Sequence, residues 1–180
     1  LLRRLVPGDA FQRCGNQLLP LTRRDNGEHA RVHSLEADLR LSLGAHVSLF
    51  AWVSWAHGTV KLDADDSSPL GRVPPLQGLA GVRYESRGRY FAELAVRWAL
   101  RQDRLAPLDR SDARICADAA AGCQGPSGYA LVRLRGGLKL FEGLRLSVAV
   151  SNAANEPYRS FGSGIDGAGL DVRTALELAL

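Results

Sequence analysis

Alternation with a period of two recurs in segment after segment of this chain, and no other feature restricts its fold as strongly. Leu35, Ala37, Leu39 and Leu41 fall on one side of an extended segment, with Glu36, Asp38, Arg40 and Ser42 on the other. Past Leu43-Gly44-Ala45, the residues Val47, Leu49, Ala51, Val53 and Trp55 repeat the pattern against Ser48, Phe50, Trp52 and Ser54. Ala80, Val82 and Tyr84 alternate with Gly81, Arg83 and Glu85, and Ala92, Leu94, Val96, Trp98 and Leu100 with Glu93, Ala95, Arg97, Ala99 and Arg101. Ala130, Val132, Leu134, Leu138 and Leu140 oppose Arg133, Arg135 and Lys139, and Leu144, Leu146, Val148 and Val150 oppose Arg145, Ser147, Ala149 and Ser151. Finally Leu170, Val172, Thr174, Leu176, Leu178 and Leu180 oppose Asp171, Arg173, Ala175, Glu177 and Ala179. Side chains change face at every residue only in a strand. The chain therefore reads as all-β, with seven antiparallel strands within residues 29–180 and no helix between them.

The same pattern fits a soluble sandwich, with core inside and water outside, and a membrane barrel, with lipid outside and water inside. The connections separate the two. Tight turns fall at 43–45, 86–88 and 141–143, and long connections at about 58–75, 105–127 and 153–168, while residues 1–28 read as the end of a fourth. Short turns at one end and long loops at the other are the habit of outer-membrane barrels. With the tight turns on the periplasmic side, the last strand descends and the carboxy terminus lies in the periplasm. Most strands reach the roughly 9–11 residues needed to cross a bilayer when tilted. A composition of 46% hydrophobic and 23% charged residues excludes disorder and allows a barrel, whose alternating strands average to soluble values. No apolar run is long enough for a transmembrane helix, and the opening Leu1-Leu2-Arg3-Arg4-Leu5 reaches Pro7-Gly8 before any signal-peptide core forms.

The net charge of +4 is spread along the strands, with carboxylates close by, as in Glu93, Arg97, Arg101 and Asp103. Dispersed charge of this kind is a solvated face, so no nucleic-acid partner is expected. Gly162-Ser163-Gly164-Ile165-Asp166-Gly167 spells a dinucleotide fingerprint, but an alternating strand follows it where a helix amino terminus would be required. His29 and His33 stand four apart in a strand and read as solvated side chains rather than metal or haem ligands. No nucleophile, base or paired carboxylate has a supporting context, so no enzyme activity, no metal site and no cofactor is expected. Cys116 and Cys123 bracket six residues of the longest loop, where an extracellular disulfide would restrict the chain; zinc lacks two further ligands at suitable spacing, and Cys14 has no readable role.

The basic residues of two sequential strands, 89–104 and 128–140, carry the one functional expectation that the spacing supports. Arg97 and Arg101 are expected near the outer end of one strand, close to Arg133 and Arg135 of the other. Such a lumen patch could attract an anionic ligand. The other reading, and the commoner arrangement for lumen charges, pairs these arginines with Glu93 and Asp103 or with carboxylates of a plug inside the barrel.

Two stretches resemble a known family. Pro69-Leu70-Gly71-Arg72-Val73-Pro74-Pro75, continuing to Tyr84, is similar to the segment of TonB-dependent outer-membrane receptors that leaves an outer loop and descends as a strand. Gly128-Tyr129-Ala130, Leu134-Arg135-Gly136-Gly137 and Val150-Ser151-Asn152-Ala153-Ala154-Asn155-Glu156-Pro157-Tyr158-Arg159 resemble its penultimate strands and Asn-rich turn. Glu28 to Leu39 is similar to a further strand, with Leu35 where the family has Gly, and the chain ends in Leu180 where the family usually has an aromatic residue. The resemblance covers residues 28–180. It implies the carboxy-terminal seven strands of a barrel of about 22 strands, closed round an amino-terminal plug. On this reading residues 1–180 are a fragment of the barrel domain without that plug, since an open sheet leaves edges that lipid does not tolerate. The implied parent sits in the outer membrane of a Gram-negative bacterium, in contact with its lipid. It would import a scarce small molecule such as a ferric siderophore, haem or cobalamin, and engage TonB through its missing amino-terminal part. A passive porin, a structural barrel and a soluble β-domain are the alternatives.

Overall fold

The computed structural model describes residues 29–63, 66–116 and 122–179, and before them four short strands, β1 (Leu2–Leu5), β2 (Phe11–Cys14), β3 (Gln17–Pro20) and β4 (Thr22–Asp25). β1 pairs with β4 and β2 with β3, both antiparallel, in a stretch expected to be the end of a loop. Glu28 and the side chain of Cys14 lie outside the described residues.

The rest of the chain builds one antiparallel sheet from β5 (His29–Leu43), β6 (Val47–Asp63), β7 (Asp66–Pro69), β8 (Gln77–Ser86), β9 (Tyr90–Ala99), β10 (Tyr129–Phe141), β11 (Leu144–Ser151) and β12 (Asp171–Leu178). The order across the sheet is β12-β11-β10-β9-β8-β6-β5, with β7 pairing the far end of β6. Seven of these are the strands expected from the alternation. The eighth, β7, and the extension of β6 to Asp63 take up part of the expected loop 58–75, because Thr59, Val60 and Lys61 pair with Pro69, Ser68 and Ser67. A single helical turn, α1 (Pro107–Arg110), interrupts the 105–127 connection. The final strand ends at Leu178, short of the alternation's reach to Leu180, which lies outside the described residues.

Each tight turn closes through a glycine at positive φ: Gly44 at 75°, Gly88 at 73° and Gly143 at 83°. Only glycine enters that region without a steric cost, so these turns fix the register of the three hairpins they close.

That register aligns the apolar residues. Leu41, Leu49, Val82, Leu94, Leu134, Val150 and Val172 stand directly opposite one another in a single row across seven strands. Their face is uncovered: Leu94 is 45% exposed and Val172 58%. The neighbouring residue Ala95, on the opposite face, is 1% exposed. This polarity is reversed relative to a soluble sandwich, where the aliphatic row would be covered by a second sheet. Aromatic residues mark both ends of the uncovered face. Tyr84, Tyr90 and Phe141 lie towards the tight turns, with the Tyr84 and Tyr90 rings stacked 5.9 Å apart, and Trp55 and Trp98 lie towards the long connections. From Tyr84 to the row of Trp98 is six residues of strand, or roughly 20 Å.

The buried residues cluster where the long connections meet the sheet. Ala99, Tyr129 and Leu131 form one group with Tyr158 packed on it, and Leu105, Ile115 and Cys116 form another with Cys123 and Phe161.

Candidate functional site

Ladder register places Glu93 of β9 directly between Arg83 of β8 and Arg135 of β10 on the polar face. Arg133, one row away, reaches in diagonally. The Glu93 side chain is only 7% exposed, and three guanidiniums converge on it, from Arg83 at 3.5 Å, Arg133 at 3.4 Å and Arg135 at 3.8 Å. Arg83 also pairs with Glu85 at 3.1 Å and lies over the Phe91 ring at 3.9 Å. The cluster thus holds three guanidiniums against two carboxylates, and the buried Nε of Arg133 has no hydrogen-bond partner. A half-sunk cationic centre with a spare buried donor suits a further carboxylate or another oxyanion.

Aromatic rings lie over glycines to bring the polar-face chains close. Phe50 covers Gly81, its directly opposite partner, so that a Cβ there would come within 2.4 Å of the ring. The arrangement closes the space above Ala95 next to the cluster.

The arginines singled out from the sequence do not form one patch. Arg133 and Arg135 join Glu93. Arg97 is a diagonal neighbour of Arg133 but lies over the Tyr129 ring at 5.9 Å. Arg101 is separated from the Arg133 row, which pairs with Ala95, by six residues of chain, roughly 20 Å at strand rise. It leaves the sheet altogether: its Nε donates to the Gln124 carbonyl at 3.1 Å and its Nη2 to the Gln124 side chain. The expectation failed there because β9 ends at Ala99, so Arg101 belongs to the loops. Asp103 takes none of these arginines as an ion-pair partner among the described residues. Arg83 went unassigned in the sequence, although its place on the polar face of its strand was legible; only pairing across β8 and β9 brings it to Glu93.

At the end away from the tight turns, the loops are tied to one another. Asp109, 1% exposed, accepts hydrogen bonds from the backbone N–H of Arg72 at 3.2 Å and of Ala106 at 3.3 Å. The Arg72 guanidinium pairs with Asp112, and Gln102 Nε2 donates to the Val73 carbonyl at 2.8 Å. Cys116 and Cys123 are joined as a disulfide, with Cα atoms 5.4 Å apart. Asn152, at φ 51°, donates to the carbonyls of Glu156 and Ala168 and accepts from the Glu156 N–H, which closes the last loop. Tyr158 of that loop packs on Tyr129, ring centroids 4.9 Å apart. Between the disulfide loop and this last loop runs an open cleft of about 830 Å³, lined by Ile115, Cys123, Pro126, Tyr158 and Arg159 among others. Gly162, Gly164 and Gly167 lie in this loop, and the strand β12 follows them. His33 stands opposite His57 on the apolar side of β5 and β6. Among the described residues, no group of three or more His, Cys, Asp or Glu side chains is disposed to hold a metal ion.

An antiparallel sheet with an uncovered aliphatic face, aromatic ends and a charged opposite face has the architecture of a transmembrane barrel wall. Among solved structures the chain is similar to one described as "Copper transporter OprC", with a TM-score of 0.67 and 20% identity, over 83% of this chain and 23% of that one. The likeness is one of fold, and the chain spans about a quarter of that neighbour's length. No protein-family model matches the sequence, and no curated protein matches it.

Proposed function

We propose that this chain is part of an outer-membrane β-barrel that imports a scarce solute with energy delivered through TonB. The observation that carries the membrane half of this reading is the aliphatic row from Leu41 to Val172, seven strands wide and uncovered. In water such a face would be a large aggregation surface; in lipid it is the required exterior. The sheet ends at β5 and β12, and in lipid those edges must pair with further strands, so the barrel is larger than this segment. The cargo expected from the sequence is a ferric siderophore, haem or cobalamin, and the fold neighbour's description adds copper to the candidates.

In this reading the loops knotted by Asp109, Asn152 and the disulfide gather ligand at the cell surface. The arginine cluster around Glu93 faces the lumen, where its excess positive charge holds carboxylates of a plug. TonB engages a part of the protein outside this segment. The full-length protein, expressed with and without TonB, tests the proposal. Uptake of a labelled cargo should require TonB, and the purified protein should require detergent. Uptake that persists without TonB would indicate a passive pore; a protein that stays monodisperse without detergent would indicate a soluble β-domain.

A further inference from the structure

The apolar face of β5 and β6 ends at a sharp boundary. Leu35 and Trp55 stand directly opposite each other, and the next pair on that face is His33 opposite His57. Beyond it come Arg31 opposite Thr59 and His29 opposite Lys61. The His57 ring lies 5.9 Å from the Trp55 ring, which fits two residues sharing one face of a strand. Arg104, from the segment after β9, brings its Nη1 to 2.7 Å from His57 Nδ1; a guanidinium can only donate, so the imidazole nitrogen accepts. Among the described residues, the paired stretches His29 to His33 and His57 to Lys61 include no carboxylate.

Cations are costly against hydrocarbon and favourable beside anionic headgroups. Trp55 marks the level at which the hydrocarbon ends, since indole rings settle at the interface. The His33 and His57 row follows it at once, roughly 7 Å further along the strand, with the Arg104 guanidinium seated on His57, and the Arg31 and Lys61 rows lie beyond. They lie at the end that carries the long loops, which in an outer-membrane barrel is the outer leaflet.

We infer that Arg31, His33, His57 and Arg104, with Lys61 beyond them, bind the phosphate groups of an outer-leaflet glycolipid, whose acyl chains lie along Leu35, Leu39 and Leu41. The inference rests on the outer-membrane reading above and adds a lipid site on the barrel's exterior, separate from the lumen and the loop cleft. Arg104 is the link between this site and the loops: its own backbone N–H is held by Gln102 Oε1 at 3.1 Å, and Gln102 in turn holds the Val73 carbonyl.

The test uses the full-length protein in non-ionic detergent, titrated with diphosphorylated lipid A and with the same lipid stripped of its phosphates. Wild type should prefer the phosphorylated lipid by on the order of tenfold, given the gain per basic residue at an anionic surface. The fourfold variant Arg31→Gln, His33→Gln, His57→Gln, Arg104→Gln should bring that preference below about twofold. Arg145→Gln, on the polar face, should leave it at the wild-type value. An unchanged preference in the fourfold variant overturns the site, and so does full displacement of the lipid by millimolar inorganic phosphate, which would make it a free-phosphate site. Heat-modifiable migration on gels reports the barrel independently. A heat-modifiable wild type with no phosphate preference overturns this inference alone, whereas a wild type that is soluble without detergent overturns the outer-membrane reading.

Discussion

Glu93 and Arg133 meet at 3.4 Å on the polar face, where the Glu93 side chain is 7% exposed, while Leu94, the next residue along β9, is 45% exposed. One residue step thus separates a sheltered ion pair from an uncovered aliphatic side chain.

Glu93→Gln should leave three guanidiniums without their shared carboxylate. Removing one partner of a buried pair costs about 3–5 kcal/mol. Here the guanidiniums remain 30–46% exposed, so screening lowers the expectation to roughly 1–3 kcal/mol. Unfolding of the full-length protein in detergent by urea measures it. Adding Arg133→Gln should recover part of the loss; a double variant as unstable as the sum of the two singles would mean that the pair is not coupled.

The two faces should answer differently to charge. Leu94→Arg is expected to destabilise by roughly 2–4 kcal/mol if the uncovered face meets lipid. Ala149 stands directly between Arg135 and Arg173 on the other face, so Ala149→Glu should be neutral or favourable, by about 0.2–1 kcal/mol per new cross-strand pair. Ala149→Arg should cost a similar amount. If Leu94→Arg and Ala149→Glu prove equally harmful in the same folding titration, the faces are misassigned.

Asp109 ties two loops through backbone N–H groups 34 residues apart in the chain, at Arg72 and Ala106. Asp109→Ala removes the acceptor and leaves both donors unpaired, a cost of about 1–3 kcal/mol for each buried group. The loss should fall on the loops: protease cleavage within 100–116 should accelerate while the melting of the barrel stays within a few degrees of wild type. Equal protection of the loops in the variant would count against the knot.

Two loop carboxyls give a sign to the pH dependence. The Arg114 guanidinium and backbone N–H hydrogen-bond Asp112 and hold its carboxyl well below the usual range, and Arg159 lowers Asp166 in the same way. A depressed folded-state value means that the stabilisation is fully present above the ordinary value of about 3.9 and is lost as pH falls through the lowered one. The loop contacts should therefore hold from neutral pH to about pH 4 and loosen only below it. The Asp112 carboxyl carbon, followed by NMR, should titrate below about 3.9, and Arg114→Gln should move its midpoint up. An Asp112 midpoint at or above that value in wild type would remove the ion pair.

The joined sulfurs of Cys116 and Cys123 should resist alkylation in protein taken from the native envelope without reductant. Reduction should speed cleavage between them by a protease added to whole cells. Two alkylated loop cysteines in the unreduced sample would refute the bridge.

The strands, their two faces and the three tight turns were legible in the sequence because each is local: alternation is written residue by residue, and a glycine at positive φ closes a hairpin of neighbours. Alternation alone fitted soluble and membrane readings equally, and the unequal connections favoured the membrane, since a period of two marks two faces without saying which is covered. Tertiary structure decided that. Register aligned Leu41 through Val172 into one uncovered row and set the aromatic residues at its two ends. It also decided which charges meet. Arg83 comes to Glu93 only through the pairing of β8 with β9, Arg101 leaves for Gln124 because β9 stops at Ala99, and Asp109 is sheltered by a loop 37 residues earlier in the chain. Such contacts depend on which distant segments pack together, and no periodicity within one segment encodes a partner outside it.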